Sequence, residues 1–185
     1  PICLNPEGKI VSPWDVAWPI DSERITSCFN EKRENSYHKG IDIGTAGMTP
    51  PEREVMAIDD GELFFVGGSE IHPYGYFIGI LHPNGLISKY AHLDPRSIEF
   101  HLDPETGKPQ LGKKIKKGEI IGISNNTGNS SGPHLHLEIF RHDPGKCGLV
   151  HESDEFSPCW VDPLCFYPLQ WGKSTCPPPT QCKIK

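Results

Sequence analysis

The stretch Tyr76-Phe77-Ile78-Gly79-Ile80-Leu81-His82-Pro83-Asn84-Gly85-Leu86-Ile87-Ser88-Lys89-Tyr90-Ala91 decides the fold. It contains two apolar runs of strand length, 76–82 and 86–91, with Asn84-Gly85 between them. Asn-Gly accepts the positive φ of a tight hairpin turn, so the stretch predicts an antiparallel hairpin. Upstream, the runs 54–58 and 62–66 flank Asp59-Asp60-Gly61, a second hairpin signal of the same kind. Downstream, residues 115–118 lead by a short turn into 119–123, and after the polar loop 124–133 comes a last strand, 134–140. The strands follow one another with no room for crossover helices, which forces antiparallel pairing. The expected fold is therefore mostly β, a compact antiparallel sheet core with long loops.

Composition agrees. A chain of 185 residues suits one domain with elaborations. Gly and Pro number 19 each, about one residue in five together, which argues against long helices. With 36% hydrophobic and 23% charged residues the chain is too apolar for disorder, and no run approaches the roughly 18 apolar residues of a membrane span. The net charge of −6 repels polyanions, so nucleic acid is not an expected partner.

Three regions are expected: an N-terminal wrapping segment, 1–36, with turn signals at Asn5-Pro6, Ser12-Pro13 and Trp18-Pro19; a core, 37–140, broken by a Pro-, Gly- and charge-rich insertion at about 96–112; and a Cys- and Pro-rich extension, 141–185, docking on that core. Five of the seven cysteines, Cys147, Cys159, Cys165, Cys176 and Cys182, fall in this extension. It reads as a disulfide-rich tail, which places the chain in an oxidising compartment, secreted or periplasmic. A zinc knot is the alternative, but no CxxC pair occurs. Spacing does not reveal the pairing, and an odd count leaves at least one thiol free or bonded outside the chain; oligomeric state is not legible. The chain begins at Pro1 with no Met, n-region or h-region, and is read as a mature or trimmed form.

Three histidine groups carry chemistry. In His38-Lys39-Gly40-Ile41-Asp42, an extended backbone puts His38, Gly40 and Asp42 on one face, and Gly40 leaves the space between the two candidate ligands open. In His134-Leu135-His136, the i, i+2 spacing puts both imidazoles on one face and Leu135 on the other, a costly arrangement unless something binds them. The third group is Tyr90-Ala91-His92, at the end of the hairpin. One divalent metal accounts for all three, because two His and one Asp form the three-ligand set of a catalytic zinc site and survive where thiolates would be oxidised.

His38-x-x-x-Asp42, Tyr90-Ala91-His92-Leu93 and Thr127-Gly128-Asn129-Ser130-Ser131-Gly132-Pro133-His134-Leu135-His136-Leu137-Glu138 together resemble the lysostaphin/LytM-type zinc metallo-endopeptidases, which cleave peptide bonds in bacterial peptidoglycan. The resemblance runs from about Ser36 to Phe140. It implies a LytM/lysostaphin-like antiparallel β fold, one Zn²⁺ per chain held by His38, Asp42 and His136, His134 as general base, and His92 as the imidazole that orients the attacking water and stabilises the oxyanion. It also implies a metallopeptidase catalytic core over 37–140 and peptidoglycan peptides as substrate. The alternative is a non-catalytic or autoinhibited LytM-like regulatory or cell-wall-binding module. A carboxypeptidase or amidase on the same substrate would change the bond cut but not the zinc chemistry.

Other features have plainer readings. His72, His82, His101, His142 and His151 are expected at the surface or in turns, and Lys113, Lys114, Lys116 and Lys117 as a solvated hairpin edge. Trp14, Trp18, Trp160 and Trp171 are expected to pack. The glycine-bearing loop 127–133 lacks the Lys-Ser/Thr ending of a phosphate loop and reads as one wall of a groove. The insertion, following His92 closely, is expected to shape substrate choice.

Overall fold

The computed structural model describes residues 3–4, 10–12, 14–141 and 159–179. Among these residues twelve strands dominate: β1 Cys3–Leu4, β2 Ile10–Val11, β3 Ile25–Ser27, β4 Ile41–Gly44, β5 Glu54–Met56, β6 Gly61–Gly68, β7 Tyr76–Leu81, β8 Leu86–Leu93, β9 Lys114–Ile115, β10 Ile120–Ile123, β11 His134–Arg141 and β12 Trp160–Val161. The helices are a turn or two long: α1 Arg96–Glu99, a 3₁₀ turn at Pro163–Cys165, and α2 Pro168–Lys173. As expected, the architecture is an antiparallel β fold. The main sheet runs β3-β4-β11-β8-β7-β6-β9, with β12 on β11, and β5 pairs β10 in a small second sheet.

The Asn84-Gly85 hairpin forms as β7 and β8, with Gly85 at φ 78° where a side chain would be strained. The Asp60-Gly61 hairpin does not. Its two arms part company, β5 to β10 and β6 to β7 and β9. The segment 115–123 parts in the same way, so the two turns lock against each other: Ala57 N–H donates to Glu119 O and Gly118 N–H to Ala57 O, each at 2.9 Å. Asp60 accepts from the Lys117 N–H (2.9 Å) and pairs with Lys116 (3.1 Å) instead of closing a hairpin.

β11 pairs with three other strands. Its apolar face, Leu135, Leu137 and Ile139, is buried against Ile41, Ile43, Ile78, Ile80 and Tyr90. β8 pairs one edge over residues 136–141. The other edge is shared, with β4 opposite residues 134–137 and β12 opposite Ile139 and Phe140. Trp14 packs edge-on to Phe166, and Trp18 to Tyr167, so the first segment meets the last over the core. Cys28 and Cys176 form a disulfide, and Cys159 and Cys165 are also disulfide-bonded.

Several expectations need correction. β3, unmarked by any apolar run, lies in the 1–36 segment and pairs β4 of the core. His82 and His101 are buried rather than superficial: His82 donates through Nδ1 to Asp60 O (2.8 Å), and His101 through Nε2 to Ile121 O (2.7 Å). His142 and His151, with Cys147 and Cys182, lie outside the described residues. The lysines behave as a solvated edge, Lys114 pairing Glu62 and Lys117 pairing Asp15.

A candidate metal centre on the polar face of the sheet

The period of two that buries Leu135, Leu137 and Ile139 turns His134, His136 and Glu138 to the other face of β11. Register then assembles the site, because His136 lies opposite Asp42 on β4 and opposite Ala91 on β8, beside His92. His92 has a left-handed backbone, φ 58°, which costs a non-glycine residue about 1–2 kcal/mol. Hydrogen bonds hold it there, from its N–H to Tyr74 O and from Asn125 N–H to its carbonyl, both 2.9 Å. His38 comes just before β4 on a turn closed by Asn30 N–H to His38 O (2.7 Å) and His38 N–H to Glu31 O (2.9 Å). The role expected for Gly40 is revised. A Cβ there would lie 2.2 Å from the Leu137 carbonyl oxygen, so the glycine admits strand β11 rather than clearing space between ligands.

His38 Nε2, His136 Nδ1 and Asp42 Oδ1 converge, at 3.0 Å between the two nitrogens and 3.1 and 2.8 Å from each nitrogen to the oxygen. Their protons are accounted for elsewhere. His38 donates Nδ1–H to the Cys28 carbonyl (2.8 Å), and His136 donates Nε2–H to Glu138 Oε1 (3.0 Å). The remaining ring nitrogens, His38 Nε2 and His136 Nδ1, therefore face one another and a carboxylate. Such a cluster demands a cation at its centre. Three donors about a tetrahedral ion with bonds of about 2.0–2.1 Å would stand about 3.3 Å apart, close to what is found, so the residues fit a divalent metal. Without one, a proton must take its place. Burial opposes the charge on His136, but Asp42 and Glu138 outweigh it and hold the ring's pKa up at about 9. Burial likewise opposes the Asp42 charge, and hydrogen bonds from His136 and His38 overcome it, keeping the carboxyl well below its usual range.

The other two rings stand beside this centre. His134 Nδ1 donates to Gly132 O (2.8 Å), leaving Nε2 bare at 3.5 Å from Asp42 Oδ1. His92 Nδ1 donates to Thr127 O (2.7 Å), and its ring lies 4.6 Å from that of His134. Burial favours the neutral form of both, lowering His134 and bringing His92 down to about 4. All five predicted residues line one groove of about 630 Å³. Asn129, Ser130 and Ser131 form a wall of it, as expected of the 127–133 loop; no residue of the insertion lines it, and Ser97 and His101 bond Ile123 and Ile121 of β10 instead.

The model of peptidase family M23 matches residues 36–146, more than half of the chain. The chain belongs to peptidase family M23. This M23 chain is 37% identical over 125 residues to the DD-carboxypeptidase/endopeptidase Mpg of Neisseria meningitidis, covering 65% of the chain and 25% of Mpg. It is 32% identical over 126 residues to the peptidoglycan DD-endopeptidase ShyA of Vibrio cholerae, covering 66% of the chain and 26% of ShyA. The M23 chain thus spans about a quarter of the length of these relatives. Lysostaphin from Staphylococcus simulans shares the fold, with a TM-score of 0.56 at 23% identity over 85% of this chain and 55% of lysostaphin.

Sequence reasoning missed the groups behind the M23 site. Glu138 is fully buried, accepting from His136, from the Tyr74 hydroxyl (2.6 Å) and from Trp160 Nε1 (3.2 Å), with Lys89 Nζ at 3.7 Å. The i, i+2 rule that paired His134 with His136 extends to Glu138 and could have found it. Nothing local marks Tyr74, or the carbonyls of Cys28 and Thr127.

Proposed function

We propose that this M23 chain is a zinc-dependent endopeptidase that hydrolyses peptide bonds in bacterial peptidoglycan outside the cytoplasm. The observation that carries the reading is the convergence of His38 Nε2, His136 Nδ1 and Asp42 Oδ1 within 3.1 Å of one another, beside the rings of His92 and His134 in one groove. The names of the relatives support the substrate, and the Cys28–Cys176 disulfide supports the compartment.

His38, Asp42 and His136 would hold the metal. When bound, zinc supplies Lewis acidity that brings a water's pKa down toward 7 and polarises a carbonyl. His134, its tautomer set by Gly132 O, offers Nε2 to take a proton from the attacking water and return it to the leaving amine. His92, its tautomer set by Thr127 O, also offers a bare Nε2. In that state it orients water by accepting a hydrogen bond. Oxyanion stabilisation by donation belongs to whichever ring has just gained the proton. No covalent enzyme intermediate is required.

The test is mass spectrometry of fragments released from purified peptidoglycan by the zinc-loaded chain, with a chelator-treated control. Chelator-sensitive release of peptides with new amino termini is expected. Absence of release by a chain that carries one zinc would overturn the reading in favour of a non-catalytic wall-binding module.

A further inference from the structure

The family match ends at residue 146, while β12, the 3₁₀ turn and α2 lie beyond it. Two side chains of this last segment nonetheless end on the groups that grip His38 and His136 from behind. Trp160 sits on β12, which takes up the edge of β11 where β4 leaves off, next to Glu138. Its Nε1–H donates to Glu138 Oε2 at 3.2 Å, while Oε1 of the same carboxylate accepts the Nε2–H of His136. The indole is also clamped from the His38 side, with Lys39 Nζ 4.5 Å from its ring centre. Cys176 is bonded to Cys28, whose carbonyl accepts the Nδ1–H of His38. A backbone carbonyl can be placed only by placing the chain. The Cys28 N–H to Glu31 Oε2 bond (3.1 Å) does this from within the turn, and the disulfide does it from outside.

We infer that Trp160 and Cys176 are positioning residues of the metal centre: through Glu138 and Cys28 they fix the two histidine rings, so the C-terminal segment governs metal affinity while supplying no ligand. The inference rests on the metal reading above. Partners that orient a ligating imidazole are commonly worth 10–100-fold in metal affinity, because a ring free to swivel loses its aim and its tautomer.

The test uses the whole chain in wild-type, Trp160→Phe, Cys28→Ser/Cys176→Ser and Tyr167→Phe forms. Tyr167 belongs to the same segment and its hydroxyl donates to Ala17 O at 2.8 Å, not to Glu138 or Cys28, so its variant loosens docking without touching either group. Zn²⁺ affinity is measured by competition with a chromophoric chelator, and the absorption bands of the Co²⁺ form report ligand geometry. Trp160→Phe, which keeps a ring beneath Lys39, is expected to bind about 10-fold more weakly, the double serine variant about 10- to 100-fold, both with shifted Co²⁺ bands, and Tyr167→Phe within about twofold of wild type. Folded Trp160→Phe protein with wild-type affinity and bands would overturn the inference, even if the double variant fails to fold. So would equal weakening by Tyr167→Phe. A wild-type chain that binds neither ion overturns the metal reading and this inference together, whereas wild-type binding with unaffected variants overturns this inference alone.

Discussion

At the scale of single residues, the division between His134 and His136 follows from which nitrogen each ring leaves bare and what stands behind the other. His136 is backed by Glu138 and aimed at His38 and Asp42; His134 is backed by Gly132 O and stands to one side. His136→Ala should therefore lose the metal, while His134→Ala should retain it and lose turnover by about 10²–10⁴-fold, as metal content and single-turnover rates will show. Metal loss from His134→Ala would reverse these roles. Gly40→Ala sets a methyl against the Leu137 carbonyl and should destabilise the fold by about 2–4 kcal/mol, read from the denaturant midpoint. That His38, Asp42, His134 and His136 would face one place was legible because strand periodicity and spacing express facing directly, and the resemblance added His92, which lines the same groove. The left-handed φ of His92 and the carbonyls behind three of the rings were not, since backbone groups are the same at every position and only tertiary placement gives them a role.

Among the elements, the long strands were legible, β3 was not, and strand partnership was less so than strand existence. The segments expected at 76–82, 86–91 and 134–140 appear as β7, β8 and β11, whose apolar alternation is a local property. Asp60-Gly61 signals a turn correctly but says nothing about which sheet each arm joins; that is settled by Asp60 meeting Lys116 and Lys117, more than fifty residues away. The last segment carries a pH-dependent element of its own. Asp162 caps the 3₁₀ turn by accepting from Leu164 N–H at 2.9 Å, and burial raises its carboxyl to about 6, with that hydrogen bond opposing. Its contribution to stability is full below about pH 4, where the folded and unfolded chains are both protonated, and falls as pH rises through 6, since the unfolded chain ionises first. The loss is about 3 kcal/mol. Asp162→Asn keeps a cap acceptor without the charge, so its melting temperature should gain on wild type between pH 4 and 7. A constant difference across that range would show that Asp162 ionises freely in the fold.

For the whole molecule, the chain closes on itself from both ends over one sheet. Trp14 and Trp18 meet Phe166 and Tyr167, Lys173 pairs Glu23 at 2.7 Å, and the Cys28–Cys176 bond spans 148 residues. Cysteine content announced a stapled tail, but not that one staple would reach the turn before His38, because pairing depends on a fold in which residues far apart in sequence become neighbours. Breaking that bond should cost about 2–5 kcal/mol and lower the melting temperature by roughly 5–15 °C; an unchanged melting curve for Cys28→Ser/Cys176→Ser would show that packing alone holds the ends.

That bond also shortens a path in the unfolded chain. His38 and His136 are 98 residues apart along the backbone, but around the ring closed by Cys28 and Cys176 the other arc is only about 50 residues long. Halving the path between two points removes about 0.6 kcal/mol of the entropy cost of bringing them together, nearly a threefold gain in their encounter probability. An oxidised chain thus begins its search for the native sheet with its two halves already leashed. Oxidation before folding gives a head start to the pairing of β4 with β11, which brings His38 and Asp42 to His136.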